Sequence, residues 1–186
     1  MNYYIDKTSI IDEDVSIGEG TKIWSFCHVE SGAVIGNNSQ LGQNVFIDRN
    51  VCIGSNVKIQ NNVSVYEGVV IEDGVFLGPS CVFTNDLTPR ALYPKGRENR
   101  IKTFVKKGAT VGANATIVCG ITIGRFAMIG AGTVVSKNVK DYALVYGSKG
   151  IQVGWVCECG SKLGDELVCA NCKKKYVSYK DGIRIE

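Results

Sequence analysis

Aliphatic side chains return every sixth residue: Ile11, Ile17, Ile23, Val29, Ile35, Leu41, Ile47, Ile53, Ile59, Val65, Ile71 and Leu77, closed by Phe83. The spacing resumes at Val105, Val111, Ile117, Ile123, Ile129 and Val135. A period of six is neither a helical face nor the alternation of a half-buried strand. It predicts an all-β parallel helix of hexapeptides, each hexad one short strand and one corner. Three hexads would make one triangular coil, so that side chains 18 residues apart stack on consecutive coils.

Two other positions of the hexad agree. Four residues after each anchor stands a small or β-branched residue, among them Val15, Thr21, Ala33, Ser39, Val45, Ala109, Ala115 and Thr133. Three residues after it stands Gly, Asn or Asp, as at Asp14, Gly20, Asn38, Asn44, Asn62, Gly108, Gly132 and Asn138. These residues tolerate the left-handed backbone that a tight corner can require. The rule fails from Asp86 to about Thr103, a stretch with two of the three prolines and five basic residues. Inside a regular solenoid such an excursion reads either as a lid over a site or as a mobile surface loop. The expected division is a β-helix over 1–153, with the loop at about 86–103, and a separate module over 154–186.

That module carries Cys157, Cys159, Cys169 and Cys172 as a CxC pair and a CxxC pair. Four thiolates on two tight turns can surround Zn²⁺ tetrahedrally, which would make a closed, structural site. Unligated thiols or a redox pair are the alternatives. Some thirty residues with few apolar side chains would scarcely fold without such a staple. Cys27 and Cys81 take the small inward position of the hexad, where a free cysteine acts as a small hydrophobe. None of the other cysteines suggests a disulfide framework, which fits a cytoplasmic location. The net charge of +3 is too small to imply nucleic acid. No apolar run approaches a membrane span, and the start lacks a secretion signal.

Stacking aligns Val34, Cys52 and Val70 as one outward apolar stripe and His28, Phe46, Ser64 and Val82 as another. Trp24 and Phe26 flank the start of the second stripe. Such surface on a three-sided rod predicts a closed cyclic oligomer. Stacking also aligns Arg49, Glu67 and Asn85, two residues after their anchors, at the point where the excursion departs. Glu67 can hold or deprotonate a substrate ammonium group; equally, Arg49 and Glu67 can form a solvated ion pair. His28 is the only histidine. One histidine cannot supply the three ligands of a trimeric β-helix carbonic anhydrase, which removes that class.

The strings LGQNVFI, VKIQNNVSVYEGV, GVFLGPSCVFTND and GANATIVCGITIG resemble the left-handed β-helix acetyltransferases of nucleotide-linked amino sugars. The nearest likeness is to enzymes acetylating the 3-amino group of UDP-2-acetamido-3-amino-2,3-dideoxyglucuronate, over about residues 8–155. Relatives act on dTDP-3-amino-3,6-dideoxyhexoses. The resemblance implies a left-handed coil, acetyl-CoA as donor, a homotrimer with clefts between subunits, and a role in surface polysaccharide synthesis. It places Asn85, in the FTN string, in the substrate cleft, with His28 towards the nucleotide end. It places pantetheine along the later coils, near Gly112, Ala113, Ala131 and Lys137. A uronate carboxylate would call on a cation such as Arg49, Arg90 or Arg97. A non-catalytic scaffold is the competing class.

Overall fold

The computed structural model describes residues 2–186. Three sheets of nine, seven and six strands, parallel except for the last strand of the first, form the sides of a solenoid. Most strands are two residues long, such as Lys58–Ile59 and Ser64–Val65, because each hexad spends the rest of its length turning a corner. Register follows the predicted stacking: Lys22 pairs with Gln40, Gln40 with Lys58, and Lys58 with Phe76. Backbone N–H groups reach the next coil, as from Gln40 to the Val57 carbonyl at 2.8 Å. Strands too short to hold themselves are thus satisfied by their neighbours.

The anchors point inward. Ile23, Ile35, Leu41, Ile47, Ile59, Ile71, Leu77, Phe83, Ile117, Ile123 and Ile129 are fully buried in one continuous core. Each buried aliphatic side chain contributes about 2 kcal/mol. Burial pushes the Cys81 thiol up to about 12, so this cysteine is packing and not a nucleophile. In the small inward position, Thr21 donates to the Gly36 carbonyl (2.7 Å) and accepts the N–H of Ser39 (3.1 Å). Ser39 repeats the bridge one coil on, to the Gly54 carbonyl (3.0 Å) and from the N–H of Val57 (3.1 Å).

The corners adopt the left-handed backbone where Gly, Asn or Asp was expected, with φ between 55° and 61° at Asn38, Asn44, Asn50, Asn56 and Asn62. Asn138 departs from this rule. Its side-chain oxygen instead accepts the Thr122 N–H at 2.8 Å. Phe26, Ser80 and Phe126 take left-handed corners without the usual residue types, at φ 61°, 58° and 53°. Phe26 is 58% exposed there.

The excursion leaves after Val82–Phe83 and returns with the strand Thr103–Val105, one residue sooner than the expected limit at Thr103. That strand pairs with Val69–Ile71, so the coil closes as if nothing intervened. The loop's one regular element is a 3-10 turn over Arg97–Asn99. At the far end Ala143–Tyr146 joins the nine-stranded sheet, and Ile151–Trp155 folds back on it antiparallel. Position 153/154 falls within that returning strand. Beyond it lies a hairpin of Tyr176–Tyr179 and Gly182–Ile185.

Both apolar stripes form as paired rows: Val34–Cys52–Val70 on the six-stranded sheet, His28–Phe46–Ser64–Val82 on the seven-stranded one. Val34 is 45% exposed and Val82 48%. No helix among the described residues is long and apolar enough to cross a membrane.

Candidate active site

The corner after the seven-stranded sheet collects charged side chains at two adjacent positions. Asp48 is buried there, with Oδ1 accepting the N–H of Arg49 (2.8 Å) and Oδ2 the N–H of Glu67 (3.1 Å). Arg100, reaching in from the end of the loop, places Nη1 3.5 Å from Asp48 Oδ2 and pairs directly with Glu67 Oε2. Glu67 Oε1 also accepts a long 3.4 Å bond from Asn50. Arg49 turns the other way, to Glu30 Oε2, through Nε at 3.2 Å and Nη2 at 3.1 Å. The Arg49–Glu67 ion pair that stacking allows is therefore replaced by a chain of charges, Arg49 on Glu30 and Arg100 on Glu67, with Asp48 between them, 3.8 Å from Arg49 Nε and 3.5 Å from Arg100 Nη1. Asp48 and Arg100 are members of the site that the sequence did not single out.

Asn85 stands where the loop departs, and its carbonyl accepts the N–H of Ile101 at 3.3 Å, closing the loop's neck. Asn85 and Arg100 line a cavity of about 270 Å³ with Asp86, Pro89, Lys95, Gly96 and Asn99. The Lys95 ammonium, 2.8 Å from Asp86 Oδ1, holds that carboxyl below the usual range, and the N–H of Thr88 adds to the effect. The loop is a built wall over this corner. Arg90 lies exposed on its outer part.

His28 is three paired strands away from Val82, with Phe46 and Ser64 between. At about 4.8 Å per strand it sits some 14 Å from the Asn85 coil. Its Nε2 lies 3.0 Å from Asp12 Oδ1, and its ring meets Phe46 edge-on at 5.9 Å. Phe46 in turn contacts Tyr66 at 6.1 Å, which makes an aromatic run along the side of the carboxylate corner.

The later-coil residues divide between two edges of the prism. Gly112, Ala113 and Ala131 follow strands of the nine-stranded sheet, whereas Lys137 follows Val134–Val135 of the seven-stranded one. Lys137 therefore shares the edge of Asn85, two coils further on, and is exposed. A side chain on Gly112 would put its Cβ 2.6 Å from the Ala131 nitrogen, so coil stacking alone requires glycine there. At many corners a side chain of the neighbouring coil accepts the equivalent N–H, as Asn37 does for Glu19 and Asp141 for Arg125. Alanine cannot do this. Among the described residues nothing accepts the N–H of Ala113 or Ala131, which leaves two backbone donors on an open edge.

Cys157, Cys159, Cys169 and Cys172 converge, with all four sulfurs within 4.8 Å of one another and none in a disulfide.

Residues 14–49 and 50–85 match the bacterial transferase hexapeptide of six repeats, and residues 32–67 and 107–137 match the hexapeptide repeat of succinyl-transferase. The chain is similar to dTDP-3-amino-3,6-dideoxy-alpha-D-galactopyranose 3-N-acetyltransferase of Aneurinibacillus thermoaerophilus. The two are 51% identical over 85 residues, 44% of this chain and 43% of that one. It is also similar to the bifunctional protein GlmU of a Psychrobacter species, 47% identical over 55 residues, 30% of this chain and 12% of that one. The matched stretches thus span less than half of these relatives. Among solved structures, a variant of the N-acyltransferase AntD from Bacillus cereus, in complex with dTDP and coenzyme A, shares the fold. Its TM-score is 0.54 at 19% identity, with 83% of each chain covered. Transferase hexapeptide repeats thus recur along the solenoid on both sides of the loop, over 14–85 and 107–137.

Proposed function

We propose that this chain is an acetyl-CoA-dependent N-acetyltransferase acting on the 3-amino group of a nucleotide-linked amino sugar. The observation that carries the reading is the corner of Asn85, Glu67 and Asp48 beneath a fixed loop, in a solenoid half-matched by a sugar 3-N-acetyltransferase. The three carboxylates of the corner, Glu30, Asp48 and Glu67, outnumber its two guanidiniums, Arg49 and Arg100; that excess of negative charge would hold a sugar ammonium, and the Asn85 amide would orient the amine once it is neutral. The amine attacks the thioester carbonyl directly, so no protein nucleophile is needed. The Ala113 and Ala131 N–H groups are suited to the developing oxyanion or to the pantetheine amides. The CoA sulfur leaves as thiolate and takes up the proton. Lys137 would meet a CoA phosphate as a point charge.

Donor and acceptor edges lie on different corners of one prism. A cyclic homotrimer that sets one copy's Ala113 edge against the next copy's Asn85 edge would complete the site. The run of His28, Phe46 and Tyr66 offers flat apolar surface for the base of the nucleotide.

For the acceptor, a dTDP-3-amino-3,6-dideoxyhexose is favoured. Arg49 and Arg100, the cations at the corner, are already engaged by Glu30, Asp48 and Glu67, which leaves none of them for a uronate. Arg90 and Arg97 on the loop keep the UDP-2-acetamido-3-amino-2,3-dideoxyglucuronate reading as second.

The test is mass-spectrometric detection of acetyl transfer from acetyl-CoA to each of the two nucleotide sugars. Transfer to the dTDP sugar is the expected result, and Asn85→Ala should lower turnover at least tenfold with the oligomer unchanged. Full activity in Asn85→Ala removes Asn85 from the site. No transfer to either acceptor removes the reading.

A further inference from the structure

The C-terminal cysteines are set apart from both corners assigned to acyl transfer. Cys157 Sγ is 3.4 Å from Cys172 Sγ, and Cys159 Sγ is 3.5 Å from Cys169 Sγ. A tetrahedral cage with Zn–S bonds of about 2.3 Å has sulfur–sulfur edges of about 3.8 Å. The thiols therefore stand at the spacing of a tetrathiolate site.

Two backbone turns present them. In the first, Gly160 at φ 89° donates its N–H to the Cys157 carbonyl at 2.8 Å. In the second, Lys173 at φ 64° donates to the Cys169 carbonyl at 3.0 Å, and the Cys172 N–H points at Cys169 Sγ from 3.4 Å. An N–H directed at sulfur favours the thiolate that a metal needs. The buried cluster around the cage is Tyr142, Cys157, Leu163, Cys169, Tyr176 and Ile183. Two of those six residues are themselves cage thiols, too little apolar matter to order the module unaided.

We propose that these four cysteines hold one Zn²⁺ per chain and that this metal fastens a cap onto the end of the solenoid. The connection can be followed atom by atom. Tyr176 donates its hydroxyl hydrogen to Cys157 Sγ (3.2 Å), and its oxygen accepts the N–H of Glu158 (3.0 Å). Its ring packs edge-on against Tyr142 at 5.3 Å. Tyr142 stacks flat on Phe126 at 5.6 Å and 9°, and Phe126 belongs to a coil corner. Both rings occupy left-handed positions, φ 53° for Phe126 and 61° for Tyr142, a conformation costing about 1–2 kcal/mol for such residues. The stacked pair offsets that cost only while Tyr176 holds the far side. Lys140 and Asp181, 3.2 Å apart, add a second tie between coil and hairpin.

Four thiolates select a soft or borderline cation over magnesium or calcium and leave no position for water, so the metal is structural. Zinc and iron share this ligand set, and the measurement separates them. The full-length chain, purified under reducing conditions, is expected to contain one Zn per chain by elemental analysis. Cobalt replacement should give the absorption of tetrahedral Co²⁺–thiolate. Cys159→Ser alters an exposed ligand and spares the buried cluster; it should lose most of the metal while the coils stay folded. Chelation should speed hydrogen exchange at residues 142–156 at least tenfold and leave residues 40–80 unchanged. A folded, reduced chain without metal, or with iron in equal amount, overturns the zinc assignment. Unchanged exchange at 142–156 after complete metal removal overturns the cap. Neither readout depends on acetyl transfer.

Discussion

Thr133 is the exception in an otherwise satisfied inward row. Its Oγ1 is the buried side-chain polar atom without a hydrogen-bond partner among the described residues, while Thr21 and Ser39 each bridge two coils. The difference is positional, since Thr133 lies on one of the last coils, where the carbonyl that Thr21 finds one coil ahead is missing. Removing an unsatisfied buried hydroxyl without changing shape should stabilise the fold. Thr133→Val is therefore expected to gain about 1 kcal/mol and to raise Tm by a few degrees in a thermal melt. A lower Tm would show that the hydroxyl has a partner in solution. Phe26 makes the opposite choice: it bears left-handed strain while exposed. Its backbone N–H is held by Thr8 Oγ1 at 3.0 Å while its ring stands largely in solvent, which suits a residue reserved for an intermolecular contact.

Among the elements, the loop over 86–102 depends on Arg100. That guanidinium ties the loop's return to two carboxylates on successive coils, Asp48 and Glu67. In Arg100→Ala, Glu67 would lose its guanidinium and Asp48 would keep only the more distant Arg49, 3.8 Å away. The variant is expected to lose about 2 kcal/mol of stability, to be cut in the loop several times faster by a limiting protease, and to lose at least tenfold in turnover. Arg97→Ala, in the exposed 3-10 turn, is the control and should keep wild-type protease resistance. Equal protease sensitivity in Arg100→Ala and wild type would mean that the ion pairs do not hold the loop. The coils could be read directly from the chain because a period of six repeats one geometric statement many times. Asn85 above Glu67 followed from the same counting. Arg100 did not, because it meets Asp48 across 52 residues, through a segment that has no period. Asp48, one residue after its anchor, is at an outward position by the period, yet its carboxylate is held by the N–H groups of Arg49 and Glu67 and by Arg100. The resemblance places Lys137 beside Ala113 and Ala131 along the later coils, but it stands six residues after Ala131, which is one edge further round the prism, after Val134–Val135 of the seven-stranded sheet.

For the whole molecule, the two apolar stripes and the split between donor and acceptor edges point to the same assembly. The proposed trimer would cover Val34, Cys52, Val70 and Val82 and join what one chain keeps apart. Val82→Glu places a charge at the end of its stripe at an exposed position, where folding of the single chain should tolerate it. Multi-angle light scattering is expected to show a monomer for this variant and three times that mass for the wild type, with the far-ultraviolet dichroism of the two alike. A variant of unchanged mass would exclude this stripe from the interface.

The strand Thr103–Val105 takes its place on Val69–Ile71 across a 34-residue step as faithfully as its neighbours do across 18. The solenoid thus measures phase along its sides and ignores length at its corners. A whole coil is a unit of currency-free exchange: one cut out or duplicated in full leaves every surviving rung in step, whereas a lost single residue within a side turns the following anchors towards water. Variation in such a chain can lengthen the rod by whole turns or graft new arms at its edges, and the scaffold registers neither as an error.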